Sequence, residues 1–186
     1  MIGLCLGDLN IQKQYANARL FFVQGAPNKF YLEHLYDLFG SYCRIEPKLA
    51  IGALDKRTGV RYSSIRFQTL SLPCFNEFFE LFYTNGKKVI PSNIFDLLTP
   101  LGLAYWLADD GTRNKQCQYV ELCTHSFTLT EVELLINTLN SKWSLKCYKS
   151  KRGDSYTIRI PAYSVPIIQD LLKDIMPSMM LYKIGL

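Results

Sequence analysis

The chain has 186 residues, 48% of them hydrophobic, with 21 Lys+Arg against 16 Asp+Glu and a formal net charge of +5. Mean hydropathy is +0.01 and the pI is near 8.8, which excludes wholesale disorder and leaves room for one compact domain or two small fused ones. The positive balance suits a polyanionic partner without requiring one. Six cysteines, at positions 5, 43, 74, 117, 123 and 147, form no CxxC pair, and only His34 and His125 accompany them. Zinc-type ligand spacing is therefore absent, and cysteines so scattered read as small buried hydrophobes in a reducing compartment. No apolar run approaches the roughly 20 residues of a spanning helix. No charged n-region precedes an apolar stretch at the start, so neither membrane insertion nor secretion is expected.

In chain order, residues 1–7 predict a short helix that stops at Asp8-Leu9-Asn10. Residues 18–24 and 63–70 read as strands; in the second, Ile65 and Phe67 alternate with Ser64, Arg66 and Gln68, the period-2 pattern of a sheet with one wet face. Between them, 29–40 has helical periodicity ending at Gly40, and 73–83 predicts another helix before Asn85-Gly86. The order then repeats. A helix over 101–108 stops at Asp109-Asp110-Gly111, and strands are expected at 118–124, 145–149 and 155–160, the last two joined by Lys151-Arg152-Gly153-Asp154. Residues 128–139 begin with the capping box Thr128-Leu129-Thr130-Glu131, and 164–175 form a last helix. The repeat divides the chain into 1–95 and 96–186, with the join near the proline-flanked segment 91–100.

Gly3 and Gly7 on the first lead helix, and Ala104 and Ala108 on the second, form small-residue stripes of the kind that let helices approach closely. Each stripe leads into an aspartate at a helix C-terminus, where the partial negative charge of the helix disfavours an anion by about 0.3–1 kcal/mol. Singly, Asp8 and Asp110 read as turn residues. Repeated in the same context, they read as carboxylates for a hard divalent ion such as Mg²⁺, as phosphodiester hydrolysis requires.

Met1-Ile2-Gly3-Leu4-Cys5-Leu6-Gly7-Asp8 and Leu103-Ala104-Tyr105-Trp106-Leu107-Ala108-Asp109-Asp110-Gly111 resemble the two signature helices of a LAGLIDADG homing endonuclease of the single-chain, intron-encoded organellar type. Segments 98–111, 124–128, 85–91 and 176–183 extend the likeness over essentially the whole chain. The resemblance implies an α+β fold of two pseudo-symmetric αββαββα-type halves, whose curved antiparallel sheets form a DNA-binding saddle. It further implies a monomer that makes a Mg²⁺-dependent double-strand break at a long asymmetric DNA site, in a mitochondrion or, alternatively, a chloroplast. Asp8 and Asp110 match the family's metal-binding acids, and Lys88 and Lys183 its basic active-site residues. Leu9 stands where a glycine is common, Asp109 adjoins the second acid, and the first signature helix begins a turn or two later than usual. That late start is expected to weaken its packing.

With the apolar strand faces under the helices, Ser64, Arg66 and Gln68, and Lys146, Tyr148, Thr157 and Arg159, are expected to face the DNA groove. Arg19, Gln24 and Arg61 join them as further candidates, with Lys149, Lys151 and Arg152 on phosphates at the sheet edge. The alternative function is a LAGLIDADG-derived RNA-binding protein, an intron maturase or a structural ribonucleoprotein component, that holds intron or ribosomal RNA on the same face without cutting.

Overall fold

A computed structural model describes residues 1–186. By contacts the chain divides into one unit of Met1–Gly7 with Leu81–Leu186 and another of Asp8–Glu80. In the Asp8–Glu80 unit, β1 (Asn10–Lys13), β2 (Ala18–Gly25), β3 (Lys48–Leu54) and β4 (Arg61–Gln68) form an antiparallel sheet in the order β1-β2-β4-β3. Leu20, Phe22, Ile65 and Phe67 alternate inward and are buried. The helix α2 (Lys29–Phe39) lays Tyr31, Leu32 and Leu35 into the same core. Phe22 stacks on Phe67 with centroids 4.5 Å apart, and Phe39 and Tyr36 close the cluster at 5.1 and 5.3 Å. A short helix, α3 (Asn76–Phe82), ends the first half; Asn76 Oδ1 accepts a 2.7 Å hydrogen bond from the Ala18 N–H.

The other unit repeats the plan. After the hairpin β5 (Tyr83–Thr84) and β6 (Lys87–Lys88) and the turn of helix α4 (Ile94–Leu97) comes α5 (Pro100–Asp110). Strands β7 (Gly111–Arg113), β8 (Val120–Leu122), β9 (Tyr148–Arg152) and β10 (Ser155–Ile160) pair antiparallel as β7-β8-β10-β9, the same order as the first sheet. Helices α6 (Leu129–Trp143) and α7 (Val165–Leu172) and a 3₁₀ segment, Ser178–Lys183, complete it. Each half is therefore helix, two strands, helix, two strands, helix, the αββαββα order expected. No helix is long and apolar enough to cross a membrane.

The lead helix α1 (Ile2–Leu6) has only five residues, yet Gly3, Leu4, Cys5 and Leu6 are all buried and it packs on α5. The contact line is not the pair of stripes expected. On α1 the small residues Gly3 and Gly7 do face the partner, but on α5 they meet Gly102 and the Asp109 side chain. Ala104 lies about 200° round the helix from Gly102, so Ala104 and Ala108 fill the core on the other side, both fully buried.

The capping box is formed: Thr128 Oγ1 accepts from the Glu131 N–H at 3.3 Å, and Glu131 Oε2 accepts from the Thr128 N–H at 2.7 Å. Burial alone would raise the Glu131 carboxyl, but hydrogen bonds from the Ile90 and Thr128 backbone and the Thr128 hydroxyl outweigh it and hold it below the usual range. This stabilisation is present above the ordinary glutamate range and is lost as pH falls through the lowered value. Thr128→Ala removes one side of the box and should cost about 1 kcal/mol. That corresponds to a Tm lower by about 2–4 °C for a chain of this size, read by thermal unfolding at neutral pH.

Four strands differ from expectation. β1 and β7 are too short to alternate visibly, and β3 is exposed along nearly all its length. The strand expected at 145–149 begins instead at Tyr148. Ser144 and Lys146 both adopt left-handed φ of 54°, and Asn140 brackets the Cys147 peptide, accepting from its N–H at 2.6 Å and donating to its carbonyl at 3.1 Å. A side chain thus takes the place of a neighbouring strand. Of the six free cysteines only Cys5 and Cys147 are buried; Cys74, Cys117 and Cys123 are exposed. Burial pushes the Cys5 thiol up to about 12, so it remains a neutral core group.

Candidate active site and nucleic-acid face

Each signature helix ends on an acid beside a lysine that arrives from far along the same half. At the end of α1, Lys88 Nζ donates to the Gly7 carbonyl at 2.6 Å, one residue before Asp8. At the end of α5, Lys183 Nζ donates to the Ala108 and Asp109 carbonyls at 2.5 and 2.8 Å, directly before Asp110. A cation there answers the unpaired carbonyls and negative end of the helix, which offsets the cost of placing a carboxylate at that end. The two arrangements are the same device used twice.

Local sequence delivers both lysines. Asn85 and Gly86, with φ of 51° and 75°, make the two-residue turn that pairs Tyr83 with Lys88; positive φ at both positions is the primed turn that a two-residue hairpin needs. The following strand end is pinned where the Ile90 N–H donates to Glu131 Oε1 at 2.8 Å. Lys183 does not lie on a frayed tail: Met180 and Ile184 on either side are buried, and Gln169 Nε2 donates to the Ile184 carbonyl at 2.8 Å.

Asp8 is exposed, and its Oδ2 accepts a 2.8 Å hydrogen bond from Gln24 Nε2, while Gln24 Oε1 accepts from Asn28 at 3.1 Å. Asp110 is half-buried and lines a cleft with Thr112, Glu121, Cys123 and His125. No three His, Cys, Asp or Glu side chains gather into a metal-holding group. Mg²⁺ usually takes only one or two protein carboxylates, with waters and substrate phosphate completing its shell, so a solvent-reachable carboxylate at the end of each signature helix fits that ion. The donor set would not fit a metal that needs a full protein cage.

The strand faces correct several sequence expectations. Arg66 and Gln68 are exposed and Ser64 half-buried on the face opposite Ile65 and Phe67. Arg19 shares that side of the sheet, its Nε donating to Gln12 Oε1 at 3.0 Å. Gln24 does not: it follows Leu20 and Phe22 inward, is 7% exposed, and holds Asp8. The same parity, 20, 22, 24, was readable in the sequence. Arg61 is exposed but alternates with Ile65, so Tyr62, 57% exposed, takes the outer position instead. Phe21 and Lys48 were also missed; with Arg44, Arg66 and Gln68 they line a cleft on this sheet.

On the second sheet Tyr148, Arg152 and Arg159 stand on the outer face, opposite buried Ile158 and Ile160. Lys149 turns to the helix side, where Glu133 Oε1 accepts its hydrogen bond at 2.5 Å, and Lys151, exposed, shares that parity. Thr157 is on the outer side by register but only 2% exposed, its hydroxyl donating to the Ser150 carbonyl at 3.3 Å, so it offers little to a ligand. Lys146 is exposed in the turn before β9.

Two like α+β halves, each with an acid and a lysine at the end of a buried helix and arginines on the outer sheet face, define a class of duplicated proteins built to meet nucleic acid. The family model of the LAGLIDADG DNA endonucleases matches residues 1–168. The chain belongs to this family, in its intron-encoded, single-chain organellar type. It is 34% identical, over 100% of its length and 72% of the relative's, to the cytochrome b mRNA maturase bI2 of Debaryomyces hansenii. It is 31% identical, over 99% of its length and 81% of the relative's, to a probable intron-encoded endonuclease 1 of Wickerhamomyces canadensis. Among solved structures, the homing endonuclease I-WcaI bound to its DNA recognition sequence superposes with a TM-score of 0.92 at 30% identity, over 98% of this chain and 83% of that one.

Proposed function

We propose that the chain is a site-specific homing endonuclease that binds double-stranded DNA as a monomer and hydrolyses one phosphodiester bond in each strand with Mg²⁺. The observation that carries this reading is the repeated placement of an acid and a lysine at the ends of the two signature helices. Residues 1–95 and 96–186 are the two duplicated halves, each meeting one side of an asymmetric site. Asp8 and Asp110 would each hold Mg²⁺ at the end of their own signature helix, and the ion would supply there an activated water and neutralise charge on the phosphate. Gln24 orients the Asp8 carboxylate. Lys88 and Lys183, tethered by helix-end carbonyls, place positive charge where the phosphorane-like charge develops. Arg19, Ser64, Arg66, Gln68, Tyr148, Arg152 and Arg159 face the bases, and Lys146, exposed in the turn before β9, lies on a flanking phosphate.

The test is incubation of the purified chain with Mg²⁺ and a duplex carrying the uninterrupted insertion site of its intron. Cutting of both strands is expected, and tight binding without cutting would sink the nuclease reading. Lys88→Met and Lys183→Met should each slow cutting by about 10²-fold while duplex binding in a gel-shift assay stays within a few-fold. A second reading, RNA binding as an intron maturase, is favoured by the mRNA maturase of Debaryomyces hansenii among the relatives. It predicts tight, salt-resistant retention of the chain's own intron RNA over an unrelated RNA of equal length.

A further inference from the structure

One row of side chains crosses the outer face of the second sheet, one from each strand in register: Thr112, Glu121, Arg159 and Tyr148. Glu121 is the anion of this row, set between Thr112 and Arg159. Arg159 Nε donates to Glu121 Oε2 at 2.6 Å, and Arg152 Nη2, reaching across the intervening Ser150/Thr157 row, donates to both carboxylate oxygens at 3.2 and 3.3 Å. The Arg159 guanidinium also lies 4.5 Å from the Tyr119 ring centroid, and Tyr148 stands opposite Arg159 in register. The Glu121 and Arg159 side chains are only 17% and 22% exposed. Burial alone would raise the Glu121 carboxyl, but the two guanidiniums outweigh it and hold it below the usual range, so the cluster is charged at neutral pH. On the first sheet, the row two residues past Asp8 is Asn10, Phe21 and Gln68. The carboxylate belongs to the second half alone.

A carboxylate on a surface that meets phosphates weakens attraction to any DNA. An arginine with free rotamers, however, reaches whatever phosphate is near, whereas one fixed by a carboxylate and an aromatic ring presents its fork in one direction. Such a fork is rewarded only by a base edge of matching geometry. We infer that Glu121 is a specificity-determining positioning residue, which presets Arg152 and Arg159 as a pair for base edges and repels DNA that offers phosphates alone. The inference rests on the DNA-binding reading proposed above.

The experiment compares wild type, Glu121→Gln and Glu121→Asp by fluorescence anisotropy on two duplexes, one carrying the uninterrupted insertion site and one a scrambled duplex of equal composition, across a salt series. Thermal melts confirm that all three chains are folded at the assay temperature. For Glu121→Gln the scrambled duplex should bind tighter, the site should gain nothing, and the ratio of the two Kd values should fall by about tenfold. The salt dependence on scrambled DNA should steepen by about one phosphate equivalent. Glu121→Asp keeps the charge but loses a methylene of reach, and its ratio should fall as well. An unchanged ratio in Glu121→Gln, equal tightening on both duplexes, or a wild-type ratio in Glu121→Asp each overturns the inference while leaving DNA binding intact. A wild type that does not discriminate the duplexes overturns the DNA reading and the inference together.

Discussion

Asp8→Asn and Asp110→Asn should each lower double-strand cleavage by on the order of 10³-fold while leaving site binding nearly unchanged. A carboxamide keeps the size and the hydrogen-bond acceptor that Gln24 meets at Asp8, so the local backbone has no reason to move. It loses the negative charge that a hard divalent ion requires. Loss of metal-assisted activation and charge stabilisation amounts to several kcal/mol, and each 1.36 kcal/mol is about tenfold in rate. Removing an anion from a DNA-facing site also lessens repulsion, so binding should hold or tighten slightly. The measurement is single-turnover cleavage at saturating enzyme, paired with gel-shift affinity in Ca²⁺. A variant that cuts at near the wild-type rate would remove that acid from the metal site. The supporting residue gives a graded version: Gln24→Ala leaves the Asp8 carboxylate in place without the Gln24 hydrogen bond, and a loss of about 10- to 100-fold is expected, the usual scale for groups that orient a ligand.

Much of this site was legible because the chemistry is carried by short segments with strong local signals. The alternation of helices and strands in two like halves follows from periodicity, capping and turn residues, the full αββαββα order comes with the family resemblance, and the acid at the end of each lead helix is visible as a repeated anomaly. Asn85-Gly86 announces the turn that delivers Lys88. What stayed hidden depends on which way a side chain turns. Gln24 reads as a polar groove residue, yet parity with Leu20 and Phe22 puts it inside, where Asp8 and Asn28 together satisfy the buried amide. Lys149 sits one residue from Tyr148 and therefore on the opposite face, and its charge is met by Glu133 from α6, a partner that no local pattern names. Strand β3 escaped because Leu49, Ile51 and Leu54 are 54–68% exposed, so the alternation that marks a half-buried strand never develops. Glu121 was passed over since one acid among basic residues looks like composition, and its meaning lies in cross-strand register.

The approach of α1 to α5 gives the largest expected effect on stability, and three glycines rank it. A Cβ added at Gly3 would fall on the carbonyl of Gly102, a backbone group held in the first turn of α5 by the cap in which Thr99 Oγ1 accepts from the Gly102 N–H at 3.2 Å. Nothing there can rotate away, so the helices must separate. A Cβ at Gly7 would meet the Asp109 side chain, which can turn aside. A Cβ at Gly102 would come 3.1 Å from Leu98 Cδ1, a flexible methyl end. Alanine would otherwise favour a helix over glycine by up to about 1 kcal/mol. Gly102→Ala should therefore be close to neutral and Gly7→Ala mildly destabilising. Gly3→Val should cost about 3 kcal/mol or more, the upper range for overpacking a tight core. For a chain of this length that is a Tm lower by roughly 6–12 °C, read by thermal unfolding of the three variants side by side. Because Lys88 is tied to the Gly7 carbonyl at the C-cap of α1, separation also disturbs that tether. Gly3→Val should thus lose cleavage at temperatures where it is still folded, whereas Gly102→Ala should retain it. Equal melting temperatures for Gly3→Val and Gly102→Ala would show that the helices do not meet through Gly3.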